Sequence, residues 1–166
     1  MKRTLTALGI GSLMVGTLAL PGSVSAEETT CLGTIGARTL DNVRVPSGAL
    51  CTLNGTYVKG TVKVETGGRL SADSIRVVGN VQSEGHRRVK VVTSRVGGSI
   101  QLKQGGDLTL RRNRVGQDVQ VFSNDGTSVI RKNRINGNLQ CKSNVPAPIG
   151  GGNIVGGNKE DQCARL

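Results

Sequence analysis

Hydrophobic and polar positions alternate along most of the chain, and the alternation returns at a fixed interval. The motif apolar, any, Gly or polar, any, apolar, any, apolar is first complete in Val58-Lys-Gly-Thr-Val62-Lys-Val64. It recurs as Val77-Val-Gly-Asn-Val81-Gln-Ser83, Val96-Gly-Gly-Ser-Ile100-Gln-Leu102, Val115-Gly-Gln-Asp-Val119-Gln-Val121 and Ile135-Asn-Gly-Asn-Leu139-Gln-Cys141. A partial copy, Val43-Arg44-Val45 with Gly48 after it, begins the series. The central apolar positions 43, 62, 81, 100, 119 and 139 are spaced by 19 residues four times and by 20 once. Turns such as Thr66-Gly67-Gly68, Gln104-Gly105-Gly106 and Asn124-Asp125-Gly126 follow the motif. A second apolar segment, such as Leu108-Thr-Leu110 or Val129-Ile130, comes after the turn. Period-two alternation is the strand signature, and no segment sustains a helical period.

A unit of about 19 residues without a helix cannot bury its apolar face alone. Stacked units can, each pairing with the next at about 4.8 Å. The pattern therefore predicts an all-β, single-stranded parallel β-helix, or solenoid, of about six coils of 19–20 residues. Its inward columns are Val58, Val77, Val96, Val115, Ile135 and Val43, Val62, Val81, Ile100, Val119, Leu139. Such columns leave no room for aromatics, in keeping with one Tyr, one Phe and no Trp. Left-handed solenoids keep a stricter hexapeptide rule, and the variable turns here favour a right-handed coil. The alternative, a small β-sandwich, does not require equivalent side chains at a constant offset.

The first 26 residues read as a secretory signal peptide. Lys2 and Arg3 precede an apolar run from Leu5 to Leu20, Pro21 and Gly22 break it, and Val24-Ser25-Ala26 offers a small-x-small cleavage site. The run is rich in Gly and Thr and short for a membrane span. Residues 27–166 are then expected to form the solenoid, with an N-terminal cap over about 31–51 and a C-terminal cap over about 141–166. The segment from Pro146 to Cys163 departs from the motif. The expected product is a secreted, extracellular monomer, associated with the cell wall and with no membrane segment.

Four cysteines in an exported chain imply disulfides. Of the three connectivities, the local one pairs Cys31 with Cys51 and Cys141 with Cys163, tying off the first coil and the last segment. Each bridge closes a loop of about 20 residues, worth roughly 3 kcal/mol by chain entropy. No Cys-x-x-Cys pair suggests zinc. The stretch Cys141-Lys-Ser-Asn … Gly150-Gly-Gly-Asn-Ile-Val-Gly-Gly-Asn158-Lys-Glu-Asp-Gln-Cys163 resembles the ending of small secreted actinobacterial proteins of the right-handed β-helix kind. The likeness covers the last quarter of the chain. It implies export and the solenoid fold, and brings no chemistry with it.

Charge changes the picture most. Residues 27–166 keep 20 of the 22 Lys and Arg and all 11 Asp and Glu, a net charge of about +9. From Arg87 to Lys142 there are 12 basic and 3 acidic residues, so the excess is concentrated there. If the coils stack, Tyr57, Arg76, Arg95, Arg114 and Arg134 form one outward column. Arg111 with Arg131 and Arg112 with Lys132 add basic pairs one coil apart. A guanidinium ladder can hold carboxylates or phosphates bidentately, whereas a solvated ladder would only cover apolar surface with its stems. The binding reading names Arg76, Arg95, Arg114, Arg134, Arg111, Arg112, Arg131 and Lys132 as a face for an anionic polymer such as teichoic acid or an acidic polysaccharide.

Other columns read as structural. Arg44, Lys63, Gln82, Gln101, Gln120 and Gln140 suggest an amide ladder, and Asn113 with Asn133 a shorter one. Glu65, Glu84, Lys103, Phe122 and Lys142 suggest a salt ladder more than an acid/base pair or cation site. His86, in the turn Gly85-His86-Arg87-Arg88, is expected to face solvent. As the only imidazole, it excludes a triad or metal site that needs two. No catalytic constellation, cofactor site or metal site is visible. The expectation is a non-catalytic secreted solenoid, structural or bound to an anionic wall or extracellular polymer. The alternative is a carbohydrate-active enzyme related by fold to polysaccharide lyases. Such enzymes need clustered carboxylates and sugar-stacking aromatics, and the case for one rests on fold analogy alone. Charge would permit nucleic-acid contact, but export and the lack of aromatics argue against specific recognition. The flat Thr columns of an ice-binding face are missing.

Overall fold

A computed structural model describes residues 27–166; the expected signal peptide, 1–26, lies outside the described residues. The chain winds through three parallel sheets in turn. In one coil, Val81–Glu84 lies in sheet 1, Arg88–Val92 in sheet 2 and Arg95–Val96 in sheet 3, before Ile100–Lys103 re-enters sheet 1. Sheet 1 has eight strands and sheets 2 and 3 have seven each, every strand but those at the two ends paired with its equivalents in the coils before and after it. All pairings are parallel and in register; Val81, for example, lies between Val62 and Ile100. The result is a β-solenoid of about seven turns.

The turn count exceeds the expected six because both ends carry strands that the apolar motif does not mark. At the start, Glu28–Thr30, Thr34–Ile35 and Thr39–Leu40 each enter one of the three sheets. At the end, Ile149 pairs with Val129, Ile154 with Arg134 and Lys159 with Leu139, so the segment expected to leave the repeat continues it. Among the described residues the end coils are covered on one side only, so their inward positions need not be apolar. Lys159 shows this: it is exposed at the end of the column running from Val43 to Leu139. A lysine at an open sheet edge discourages further strand addition.

The two inward columns expected from the motif are buried throughout, from Val43 to Leu139 and from Val58 to Ile135. Sheet 2 adds Cys51, Leu70, Val89 and Leu108, and beside them Leu53, Ala72, Val91, Leu110 and Ile130. Each such Val, Leu or Ile gains about 1.5–3 kcal/mol from burial. The disulfides are Cys31–Cys51 and Cys141–Cys163, all four cysteines lying in the same core cluster.

Side-chain ladders lock the coils together. Outside sheet 1, Gln82, Gln101 and Gln120 each donate Nε2–H to Oε1 of the next glutamine at 3.0–3.1 Å, and Gln140 donates to Glu160 at 2.8 Å. Inside the corner after sheet 2, Asn113 and Asn133 do stack, and Asn153 continues them. The Ser94, Asn113 and Asn133 amides each donate to the side-chain oxygen of the following coil, at 3.0 Å. A second buried ladder, Asn124–Asn144–Gln162, does the same at the other corner. These side chains supply acceptors that a buried corner amide would otherwise lack.

His86 contradicts its expected exposure: it is 2 % exposed and belongs to the core. Its position is stacked beneath Gly105, whose missing side chain makes the room; a Cβ at Gly105 would collide with the imidazole. Neither ring nitrogen finds a hydrogen-bond partner among the described residues. Desolvation therefore lowers the imidazole pKa from 6.5 to about 4, against the weaker upward pull of Asp125, the Gly106 backbone and Asp107.

Candidate functional site

The corner between sheets 2 and 3 gathers the basic residues. Two-residue strands place Arg76, Arg95, Arg114 and Arg134 in direct register, each exposed while the valine or isoleucine after it points into the core. The column is bounded by Tyr57 on one side and Ile154 on the other. The Arg76 guanidinium lies over the Tyr57 ring at 5.4 Å, which leaves Arg95, Arg114 and Arg134 as its unstacked members.

Arg111 and Arg131 are paired at the end of sheet 2. The next residues, Arg112 and Lys132, turn the corner with φ of 55° and 56°. Glycine holds the same corner at Gly55 and Gly152, with φ of 63° and 68°, while Ser74 and Thr93 hold it in the coils between. A left-handed conformation costs a residue with a side chain about 1–2 kcal/mol. Arg111, Arg112 and Arg114 thus share one coil with Arg131, Lys132 and Arg134 stacked on the next.

None of these cations has an acidic partner among the described residues. The ion pairs among the described residues are Arg44 with Glu28 and Glu65, Lys59 with Asp41, and Arg88 with Asp107. Stacked guanidinium groups about 5 Å apart repel by about 1 kcal/mol per pair even in water. The arrangement can recover that energy by sharing anionic oxygens between coils.

Beside the arginine column runs a trough of about 290 Å³, lined by Arg95, Arg114, Arg134, Asn136 and the exposed backbone of Gly97 and Gly116. The glycines are required by close approach: a side chain at Gly116 would strike the Gly97 carbonyl oxygen, and one at Gly97 the Val78 carbonyl oxygen. The sequence reading placed the arginines but missed this floor, although Gly97 and Gly116 also recur at one coil's spacing.

The acidic column behaves differently from expectation. Lys103 pairs in register with Glu84 but makes no ion pair with it; its Nζ lies over the Phe122 ring at 5.7 Å. Glu65 is held by Arg44 at 3.6 Å and by the Ser47 amide at 3.2 Å. A cavity of about 520 Å³ on this face mixes Lys63 and Lys103 with Glu65 and Glu84, so it favours neither charge. No group of three or more His, Cys, Asp or Glu that could hold a metal ion occurs among the described residues.

Comparison of the chain with family models, with curated proteins and with solved structures gave no match.

Proposed function

We propose that the protein is a non-catalytic, exported solenoid that binds an anionic polymer of the cell wall or extracellular matrix through its arginine corner. The observation that carries the reading is the in-register column of Arg76, Arg95, Arg114 and Arg134, none with an acidic partner among the described residues. Unneutralised, repelling cations carried on a regular backbone frame suit a polyanion, because binding removes repulsion and orders only side chains, not the backbone. Two strained corner residues, Arg112 and Lys132, extend the same face where glycine would fit without strain. The two disulfides are compatible with an oxidising, extracellular setting.

The test is sedimentation of oxidised protein (27–166) with purified Gram-positive walls across a salt series. Walls stripped of teichoic acid and a variant with Arg76, Arg95, Arg114 and Arg134 changed to Gln serve as controls. The expected result is binding that weakens as salt rises and is lost in both controls. Equal binding by wild type and variant would reduce the column to a solvated ladder.

A further inference from the structure

The trough beside the arginines contains acceptors as well as cations. Its floor carbonyls, those of Gly97 and Gly116, receive no N–H or O–H donor among the described residues. The Gly97 carbonyl points along the solenoid axis at the Cα of Gly116 in the following coil, since that is where a side chain would collide. A C–H···O contact of this kind is weak and leaves a second lone pair. At the end of the trough Asn136 is exposed, and its side chain makes no hydrogen bond among the described residues. Arginine can only donate. One wall of the trough therefore seeks anionic oxygens while its floor seeks hydrogen-bond donors, and the Asn136 amide at its end can both accept and donate.

A ligand that satisfies both carries acids and hydroxyl groups on the same chain. We infer that the partner is a polyhydroxylated polyanion, an acid-bearing sugar or polyol polymer, lying parallel to the solenoid axis. Its acidic groups meet Arg95, Arg114 and Arg134, and its hydroxyls donate to the Gly97 and Gly116 carbonyls and to Asn136. The missing side chains at Gly97 and Gly116 let a ring or polyol backbone lie against the floor, so stacking aromatics are not needed. Polyanions without donors, such as inorganic polyphosphate or polyacrylate, satisfy the arginines but leave the floor unpaired. This inference rests on the polyanion-binding reading above and narrows its ligand.

The experiment measures affinity per charged unit for four probes at fixed salt: polygalacturonate, glycerol-phosphate teichoic acid, polyacrylate and inorganic polyphosphate. Two recovered hydrogen bonds give the two hydroxylated probes an advantage of about ten-fold or more. The variant Asn136→Leu, its fold verified by circular dichroism, is expected to weaken the hydroxylated probes, which use both the donor and the acceptor of the amide, by roughly five-fold more than the others. Preference for polygalacturonate over teichoic acid, or the reverse, identifies whether the acid is carboxylate or phosphate. Equal binding of all four probes, or an equal loss for all four in Asn136→Leu, overturns the inference while leaving the polyanion reading intact. Binding of none of them overturns the polyanion reading itself.

Discussion

Acidification is expected to destabilise the solenoid through one residue before its carboxylates respond. His86 has a folded-state pKa of about 4 against 6.5 when unfolded, because desolvation of its buried ring outweighs the upward pull of Asp125, the Gly106 backbone and Asp107. The fold prefers the neutral ring, so its full stability is present above pH 6.5. That stability is lost progressively as pH falls from 6.5 towards 4, and the loss levels off below. The difference of about 2.5 units, at 1.36 kcal/mol per unit, amounts to about 3 kcal/mol, a large share of a typical domain's stability. Carboxylates act lower. Asp107, whose carboxyl is lowered chiefly by its hydrogen bond from Arg88, contributes stability that begins to fall only near its ordinary 3.8. The assay is urea unfolding followed by far-UV circular dichroism at pH 7.5, 6.5, 5.5 and 4.5. It compares wild type with His86→Leu and with the double variant His86→Asn/Gly105→Asn, which extends the Asn124–Asn144 ladder. Wild type should lose about 2–3 kcal/mol across this range, and both variants should be nearly flat. Parallel pH profiles for wild type and both variants would refute the argument.

Two further outcomes follow from the corners. Asn133→Ala removes the acceptor for the Asn113 amide and the donor to the Leu110 carbonyl, both buried; a loss of about 2–4 kcal/mol in chemical unfolding is expected, and a loss under 0.5 kcal/mol would contradict the ladder's role. Thr93→Asn places a residue that tolerates a left-handed backbone where φ is 53°; thermal unfolding should show a gain of about 0.5–1 kcal/mol, and a lower melting temperature would count against it.

The repeat was legible because its signal is local and summed over many copies. Val62, Val81, Ile100 and Val119 announce both their strand and their inward direction, and Arg76, Arg95, Arg114 and Arg134 inherit the opposite direction by alternation. What was not legible depends on which side chain sits on which. His86 is buried only because Gly105 lies over it, and nothing near His86 in sequence says so. Asn124 reads as a turn residue, yet it points inward, as Asn144 does on the next coil, because corner amides need acceptors there. The end coils escaped the count because, among the described residues, Thr29 and Lys159 have no coil beyond them to pack against. The trough floor was missed for the opposite reason: glycine is visible in sequence, but the carbonyl it exposes belongs to the backbone.

The direction of the buried ladders gives the molecule an order of completion. The Ser94 amide is capped by Asn113, that of Asn113 by Asn133 and that of Asn133 by Asn153. At the other corner the Gly105 amide is capped by Asn124, Asn124 by Asn144 and Asn144 by Gln162. In each case the acceptor lies 18 to 20 residues further along the chain. A chain threading out amino terminus first thus presents, at every moment, one coil still waiting for its successor. The newest coil stays soft and the older ones harden behind it, until Asn153 and Gln162 arrive and close both series.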